Sequence, residues 1–123
     1  MAKILIVDDD EQITALFEKY LSSEGYEAIS VNKSSLAVET ALSLNPDLFI
    51  LDLMMPEPDG FKVCRMLRTF SQFIDTPILI VTALGDEDSR AVAFGAGADD
   101  YLTKPFVIDE LGRRVKQLLS GLR

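Results

Sequence analysis

Short runs of consecutive apolar residues recur along the chain and predict β-strands. Three of these runs are uninterrupted, at residues 4–7, 48–51 and 78–81. Because they are short, contain β-branched residues and lack polar alternation, they are typical of parallel strands covered on both faces. A weaker run at 28–31 and a short one at 101–102 indicate two further strands. The pattern therefore predicts five strands.

Between the strands, the apolar positions change to the spacing of amphipathic helices. The second helix is expected to have Ser34 or Ser35 as its N-cap and to stop before Pro46. The fourth, at about 86–94, has a thin apolar face and should be the least firmly held. The five apolar stripes are Ile13, Leu16, Phe17, Tyr20 and Leu21; Ala37, Ala41 and Leu44; Val63, Met66, Leu67 and Phe70; Ala91, Val92 and Phe94; and Ile108, Leu111, Val115, Leu118 and Leu119.

The alternation of strand and helix limits the possible topologies. Parallel strands joined through a helix have right-handed connections. The expected fold class is α/β, a flavodoxin-like (βα)5 doubly wound parallel sheet with strand order 2-1-3-4-5, and residues 1–123 are expected to form a single domain. In such a sheet, ligands bind beyond the carboxyl ends of strands 1 and 3, where the winding reverses.

Composition and charge narrow the chemistry. The 123 residues include 12 Lys plus Arg and 20 Asp plus Glu, and the net charge of −8 opposes binding to nucleic acid or to an anionic membrane. Histidine is absent and Cys64 is the one cysteine, which excludes His-dependent nucleophilic centres, Cys/His zinc sites and an intramolecular disulfide. We expect Cys64 to be a small buried side chain. No signal sequence or long apolar span is recognisable, and the protein is expected to be cytoplasmic.

Acidic residues follow the first and third predicted strands. Asp8, Asp9 and Asp52 stand at these strand ends, which are neighbours in the expected sheet. Because adjacent strands are ~4.8 Å apart, the carboxylates should crowd together and need a counter-charge. Oxygen ligands without imidazole or thiolate favour Mg²⁺. With this ion bound, Asp52 is the expected nucleophile toward a phosphoryl group, and Lys104 and Thr82 are placed to contact that group.

Four motifs follow one another along nearly the whole chain. They are Ile4-Leu-Ile-Val-Asp-Asp-Asp10, Asp52-Leu-Met-Met-Pro56 with Asp59-Gly60 after it, Val81-Thr-Ala83, and Gly97-Ala-Asp-Asp-Tyr-Leu-Thr-Lys-Pro-Phe106. Together they resemble the receiver domain of two-component response regulators. No single motif is decisive, whereas four in this order and on these elements are highly specific.

The resemblance implies how the acidic residues would work. Asp52 would be the phosphoryl acceptor, and the donor would be the phosphohistidine of a sensor histidine kinase or of a phosphotransfer protein. Magnesium would be held directly by Asp9 and Asp52, by Asp8 largely through water, and by the backbone carbonyl of Met54. The chain would then promote only its own phosphorylation and dephosphorylation, and it would not be an enzyme acting on a separate substrate.

The resemblance also implies a switch. Thr82, the backbone of Ala83 and Lys104 would hold the phosphoryl group. Thr82 would move toward the new oxygens, and the ring of Tyr101 would turn inward into the space that Thr82 vacates. The surface of helix 4, strand 5 and helix 5 would change as a result. The peptide bond between Lys104 and Pro105 is expected to be cis, as in the family.

The output of the switch depends on what lies beyond this chain. It is either a stand-alone regulator that binds a downstream protein target or a receiver cut from a longer protein with an effector domain. The segment Gly97-Ala-Asp-Asp-Tyr-Leu102, with Glu110 and Arg114, resembles receivers attached to winged-helix DNA-binding domains. That subgroup implies a homodimer, dependent on phosphorylation, whose salt bridges would use Arg90, Asp99 or Asp100, and Arg114.

Three other interpretations were weighed against this one. Asp8 to Asp10 could simply cap helix 1, with Asp8 and Glu11 forming a pair like a capping box, and capping is compatible with metal binding. A Mg²⁺-dependent aspartyl phosphohydrolase is disfavoured because Met54 occupies the place of the second aspartate that those enzymes carry. A flavin-binding module is disfavoured because three aspartates in the first loop would repel a phosphate.

Overall fold

The computed structural model describes residues 1–121 and shows a five-stranded parallel sheet with helices on both faces. Its strand order, β2-β1-β3-β4-β5, confirms the predicted topology. The strands are β1 (Lys3–Val7), β2 (Glu27–Val31), β3 (Leu48–Leu51), β4 (Ile78–Thr82) and β5 (Asp100–Thr103). The helices are α1 (Glu11–Ser23), α2 (Ala37–Leu44), α3 (Gly60–Arg68), α4 (Glu87–Gly95) and α5 (Ile108–Leu119). In this part of the chain, no helix has the length and apolar character needed to cross a membrane.

The sheet separates two apolar layers. Successive strand residues face opposite sides, so Leu5 and Val7 pack beneath α2, α3 and α4, while Ile4 and Ile6 pack beneath α1 and α5. Coverage on both faces is the reason that the central strands read as unbroken apolar runs. Cys64 of α3 is buried as predicted, and burial raises the pKa of its thiol to about 11.

The starts of two helices differ from the sequence expectations. Asp10, one of the three aspartates that could cap helix 1, caps α1, because its side chain accepts the backbone N–H groups of Gln12 and Ile13 at 3.0 and 3.2 Å. The expected pair of Asp8 with Glu11 does not form the cap, and Asp8 accepts the backbone N–H of Asp10 instead. Neither predicted serine caps α2. A 3₁₀ turn, Ser34–Leu36, precedes that helix, and the Ser34 hydroxyl donates to the carbonyl of Pro56 at 2.9 Å. The Ser34 hydroxyl thus makes a tertiary hydrogen bond and does not cap the helix.

Helix α4 is anchored mainly at its C-terminal end. Ala93 is its one buried side chain, so α4 is thinly anchored as predicted, but the residues of the predicted apolar face are wrong. Ala91, Val92 and Phe94 are all exposed, because the packing of α4 turns Ala93 toward the apolar layer instead. Gly97, just after the helix, has a φ of +115°, which glycine adopts without strain. The Arg68 guanidinium at the end of α3 donates to the Gly97 carbonyl and to the Asp99 carboxylate. The segment that follows the C-terminal end of α4 is therefore tied to α3.

Candidate functional site

Strands β1 and β3 bring three carboxylates together at the carboxyl edge of the sheet. Val7 pairs with Leu51, so Asp8 and Asp52 follow at equivalent positions. Asp8, Asp9 and Asp52 each offer one carboxylate oxygen, and these oxygens lie within 4.8 Å of one another. Asp8 and Asp52 are 3% and 7% exposed, whereas Asp9 is open to solvent. The three acids that the sequence placed at this edge are thus neighbours in the structure.

Lys104 supplies positive charge beside these acids. Its Nζ lies 3.0 Å from Oδ2 of Asp8 and 3.4 Å from Oδ2 of Asp52. Its backbone N–H donates to the carbonyl of Thr82 at 2.8 Å, which holds the segment after β5 against the end of β4. Burial by itself lowers the pKa of Lys104, but the hydrogen bond to Asp8 and the attraction of Asp52 outweigh burial. The pKa is raised, and Lys104 is charged at neutral pH.

Asp8 is unfavourably placed for a charged group. Burial is the largest influence on its pKa and raises it above the ordinary 3.8. The backbone N–H of Asp10, which donates to Oδ1 at 3.0 Å, and the ammonium of Lys104 lower the pKa without cancelling the effect of burial. The nearby charge of Asp52 raises it further. Three carboxylates lie close to the single ammonium of Lys104 at this edge, and a further cation would be attracted.

The donor atoms at the edge fit magnesium. The three clustered side chains offer carboxylate oxygens alone, which suit a hard, partly hydrated ion. Met54 follows on the same loop, where its backbone N–H donates to Oδ1 of Asp52 at 3.2 Å. Met54 is 55% exposed, and its observed contact with Asp52 is made by the backbone.

The conformation of the loop after Asp52 depends on Gly60. From the sequence, this residue was identified only as part of a motif. The Gly60 N–H donates to the carbonyl of Leu53 at 3.1 Å. A Cβ at this position would lie 2.0 Å from the carbonyl oxygen of Asp52, so no other residue fits without a backbone shift. Asp59 caps α3 by accepting the N–H of Lys62 at 3.0 Å. The start of α3 thereby supports the backbone that carries Asp52.

Thr82 and Tyr101 are linked through the backbone of Leu84, a role that the sequence did not reveal. Thr82 is fully buried, and its Oγ1 accepts the Leu84 N–H at 3.3 Å. The Tyr101 hydroxyl donates to the Leu84 carbonyl. The ring of Tyr101 is 2% exposed, so it already occupies a buried position here. Ala83, between Thr82 and Leu84, is exposed just beyond β4.

Two further features of this edge are the contacts of Asn32, which the sequence did not predict, and two cis peptide bonds, of which one was expected. The side-chain amide of Asn32 donates to the carbonyl of Asp8 at 2.9 Å and to Oγ1 of Thr14 at 3.0 Å, which fixes the backbone at the end of β1. Its place directly after β2 was the one signal available. The Lys104–Pro105 peptide bond is cis, the isomer that the resemblance implied, and Glu57–Pro58 is cis as well.

The charged residues expected to join two copies are engaged within the chain. Arg114 of α5 lies 3.0 Å from the carboxylate of Asp100. Asp99 pairs with Arg68 at 2.9 Å. Arg90 of α4 lies over the ring of Tyr101. Any pairing of two copies through these side chains would compete with contacts that already exist.

Comparisons with known proteins agree with this geometry. The family model described as the response regulator receiver domain matches residues 4–116. The chain is 44% identical over 119 residues to the DNA-binding dual master transcriptional regulator RpaA of Synechocystis sp., covering 97% of this chain and 49% of that protein. It is 42% identical over 117 residues to the alkaline phosphatase synthesis transcriptional regulatory protein PhoP of Bacillus subtilis, covering 95% and 48%. The chain thus spans about half the length of the curated relatives it matches.

Solved structures show the same likeness. A putative response regulator from Chloroflexus aurantiacus is 37% identical with a TM-score of 0.91, covering 97% of this chain and 98% of that one. The chemotaxis protein CheY4 from Vibrio cholerae is 30% identical with a TM-score of 0.92, covering 96% and 98%. The sequence match, the fold and the acidic edge agree, and the chain belongs to the response regulator receiver domain family of two-component signalling systems.

Proposed function

We propose that Asp52 accepts a phosphoryl group from the phosphohistidine of a sensor histidine kinase or of a phosphotransfer protein. One oxygen of the Asp52 carboxylate attacks phosphorus, the bond from phosphorus to the donor's imidazole nitrogen breaks, and an aspartyl phosphate forms. The carrying observation is the buried Asp52 carboxylate, held beside Asp8 and 3.4 Å from Lys104 at the edge where the winding reverses. Residues 1–123 act as one receiver domain in this proposal, located in the cytoplasm as the sequence predicts.

Each neighbouring residue has a part in this reaction. Asp8, Asp9, Asp52 and the Met54 carbonyl would hold Mg²⁺, which compensates charge on the phosphoryl oxygens when it is bound. Lys104 offers a second positive charge to the same oxygens. The Thr82 hydroxyl and the Ala83 N–H, at the end of β4, would donate hydrogen bonds to them.

Mass spectrometry with a small phosphodonor tests the proposal. Incubation with acetyl phosphate and Mg²⁺ should add one phosphoryl group to the parent and none to Asp52→Asn. Asp88→Asn, which removes an exposed carboxylate from α4, is the matched control and should be modified like the parent. Absence of added mass on the parent, or equal modification of Asp52→Asn, would contradict the assignment.

The output is proposed to pass through a protein. Phosphorylation would bias Thr82 and Tyr101 and thereby alter the surface of α4, β5 and α5, which would contact an effector domain or a downstream protein target. The relatives RpaA and PhoP are transcriptional regulators by name. Direct contact of this acidic chain with nucleic acid is not part of the proposal, because its net charge of −8 opposes it.

A homodimer through the same surface is a further part of the proposal. In it, Arg114 would exchange its partner Asp100 within the chain for Asp100 of a second copy. Sedimentation velocity should show a larger dimer fraction after phosphorylation, and Arg114→Ala should reduce that fraction. Lys19→Ala, an exposed cation on α1, should not. A phosphorylated parent that sediments as a monomer would remove the dimer from the proposal.

A further inference from the structure

Tyr101 is held in its buried position by contacts that all come from one side of the sheet. Its ring packs in the apolar layer beneath α2, α3 and α4. Its hydroxyl donates to the carbonyl of Leu84, in the segment that joins β4 to α4. This hydrogen bond holds the tip of the side chain, and the face of the ring needs a separate contact.

Arg90 of α4 supplies that contact. The carbon at the centre of its guanidinium lies 4.8 Å from the centroid of the Tyr101 ring and 6.0 Å from that of Phe94. Both distances fall within the ~6 Å over which a cation is attracted to an aromatic face, and the Tyr101 contact is the closer one. Across residues 1–121, none of the ion pairs closer than 4.0 Å involves Arg90. The tyrosine ring is therefore its main partner.

The same contact links the tyrosine to α4, the helix that the sequence predicts to be the least firmly held. Ala93 is the one buried side chain of α4, and the hydrogen bonds from Arg68 to the Gly97 carbonyl lie beyond its C-terminal end. Arg90 stands in the first half of the helix, and no side chain in that half is buried. A movement of this half of α4 would remove the guanidinium from the ring, and a rotation of the ring would release the helix.

We propose that Arg90 is a positioning residue of the switch, which holds Tyr101 in the buried orientation through its guanidinium and links that orientation to the position of α4. This inference rests on the proposed function, since it takes Tyr101 as part of the switch. It adds a residue outside the phosphoryl site, 4.8 Å from the ring, as the group that biases the tyrosine.

The orientation of Tyr101 in the unphosphorylated protein tests the inference. Three-bond couplings measured by NMR on ¹³C,¹⁵N-labelled protein report the χ1 angle of Tyr101. Arg90→Ala should lower the ratio of buried to outward rotamer by about two- to fivefold, the range that follows from a cation–π contact at an exposed site. Arg90→Lys, which keeps a cation, should restore part of the ratio, while Arg90→Gln should behave like Arg90→Ala.

Arg65→Ala is the matched control, because Arg65 is an exposed arginine on α3. An unchanged ratio in Arg90→Ala, or an equal fall in Arg65→Ala, would overturn the inference. If the buried rotamer of the parent exceeds the measurable range, the same variants are compared in a Tyr101→Phe background, which lacks the hydroxyl bond to Leu84. An unchanged ratio there would also overturn it.

Phosphorylation of the same variants separates this inference from the proposed function. Arg90 contacts none of the acidic residues at the strand ends, so Arg90→Ala should still gain one phosphoryl group from acetyl phosphate. If neither parent nor variant is modified, the proposed function fails and the rotamer result stands by itself. If both are modified and the rotamer ratio is unchanged, the role of Arg90 fails and the proposed function stands.

Discussion

Asp8 shows, at the scale of a single residue, how the candidate metal site lowers the stability of the folded protein. It is 3% exposed, and burial raises its pKa. A raised pKa means that the folded protein disfavours the charged form of this carboxyl. Asp8→Asn should therefore increase the free energy of unfolding at neutral pH by about 0.5–2 kcal/mol, with weaker Mg²⁺ binding as the accompanying loss. Lys104 keeps Asp52 as a partner in that variant.

The pH dependence of this gain has a definite sign. The pKa of Asp8 in the folded protein lies above its unfolded value of 3.8, so the folded state binds more proton between the two values. The parent thus loses stability relative to Asp8→Asn as the pH rises through that interval, and the difference vanishes below it. Urea unfolding in EDTA between about pH 3 and pH 7 measures the difference in unfolding free energy between the parent and Asp8→Asn. If Asp8→Asn is no more stable than the parent at neutral pH, the prediction is contradicted. Asp88→Asn is the control.

Met54 and Leu84 are apolar residues beside the proposed acceptor site, and we expect them to shield an aspartyl phosphate from water. Met54 is 55% exposed at the rim, and Leu84 packs against the core while its backbone bridges Thr82 and Tyr101. Leu84→Asn and Met54→Asn should each shorten the lifetime of the phosphorylated form, measured by the decay of phosphorylated mass. The control Leu42→Asn, on α2, should leave this lifetime unchanged. If the lifetime is unchanged in both Leu84→Asn and Met54→Asn, the shielding hypothesis is refuted.

At the scale of elements, the contact between the loop after β3 and the start of α3 supports the backbone that carries Asp52. Because a Cβ on Gly60 would be 2.0 Å from the Asp52 carbonyl oxygen, Gly60→Ala requires a backbone shift. We expect a loss of about 1–3 kcal/mol in unfolding free energy, together with slower phosphorylation of Asp52.

Gly95 provides a matched control for that substitution. It is the last residue of α4, and a Cβ there would have nothing within 4 Å. Gly95→Ala should stabilise the protein by up to about 1 kcal/mol through helix propensity, with unchanged phosphorylation. Chemical unfolding and acetyl phosphate labelling of both variants measure the contrast. Equal stability of the two variants would show that the close approach at Gly60 has no energetic consequence.

For the whole molecule, we expect the excess negative charge at one edge to make folding responsive to divalent cations. The net charge is −8, and three of the acidic residues meet at the candidate metal site. A ligand that binds only the folded state raises its stability, by about 2.7 kcal/mol at a concentration 100 times Kd. Titration with Mg²⁺ should therefore raise the unfolding free energy of the parent and leave that of Asp9→Asn nearly unchanged.

Glu39→Gln distinguishes site binding from general charge screening. Glu39 is an exposed acid on α2, and its removal lowers the net negative charge by the same amount as Asp9→Asn. This variant should respond to Mg²⁺ like the parent. If all three proteins respond equally, the stabilisation comes from ionic strength and not from the clustered carboxylates.

The order of elements and the edge that carries the acidic residues followed from local patterns. The apolar runs at 48–51 and 78–81 lie within β3 and β4 because strands covered on both faces exclude polar residues. Helix caps were predicted less well. Ser34 has the right chemistry for a cap, but its hydroxyl bonds to Pro56, which is distant in sequence. A cap depends on which acceptor comes within reach, and that is decided by packing.

By itself, the sequence determined the topology, the convergence of Asp8, Asp9 and Asp52 and the family, because these depend on periodicity, on the parallel order of strands and on short motifs. Only the tertiary structure decided that the Leu84 backbone bridges Thr82 and Tyr101, and that Arg90 lies over the tyrosine ring. Such contacts join residues on different elements at distances of a few ångströms. No periodicity along the chain encodes those distances, which arise when the helices pack on the sheet.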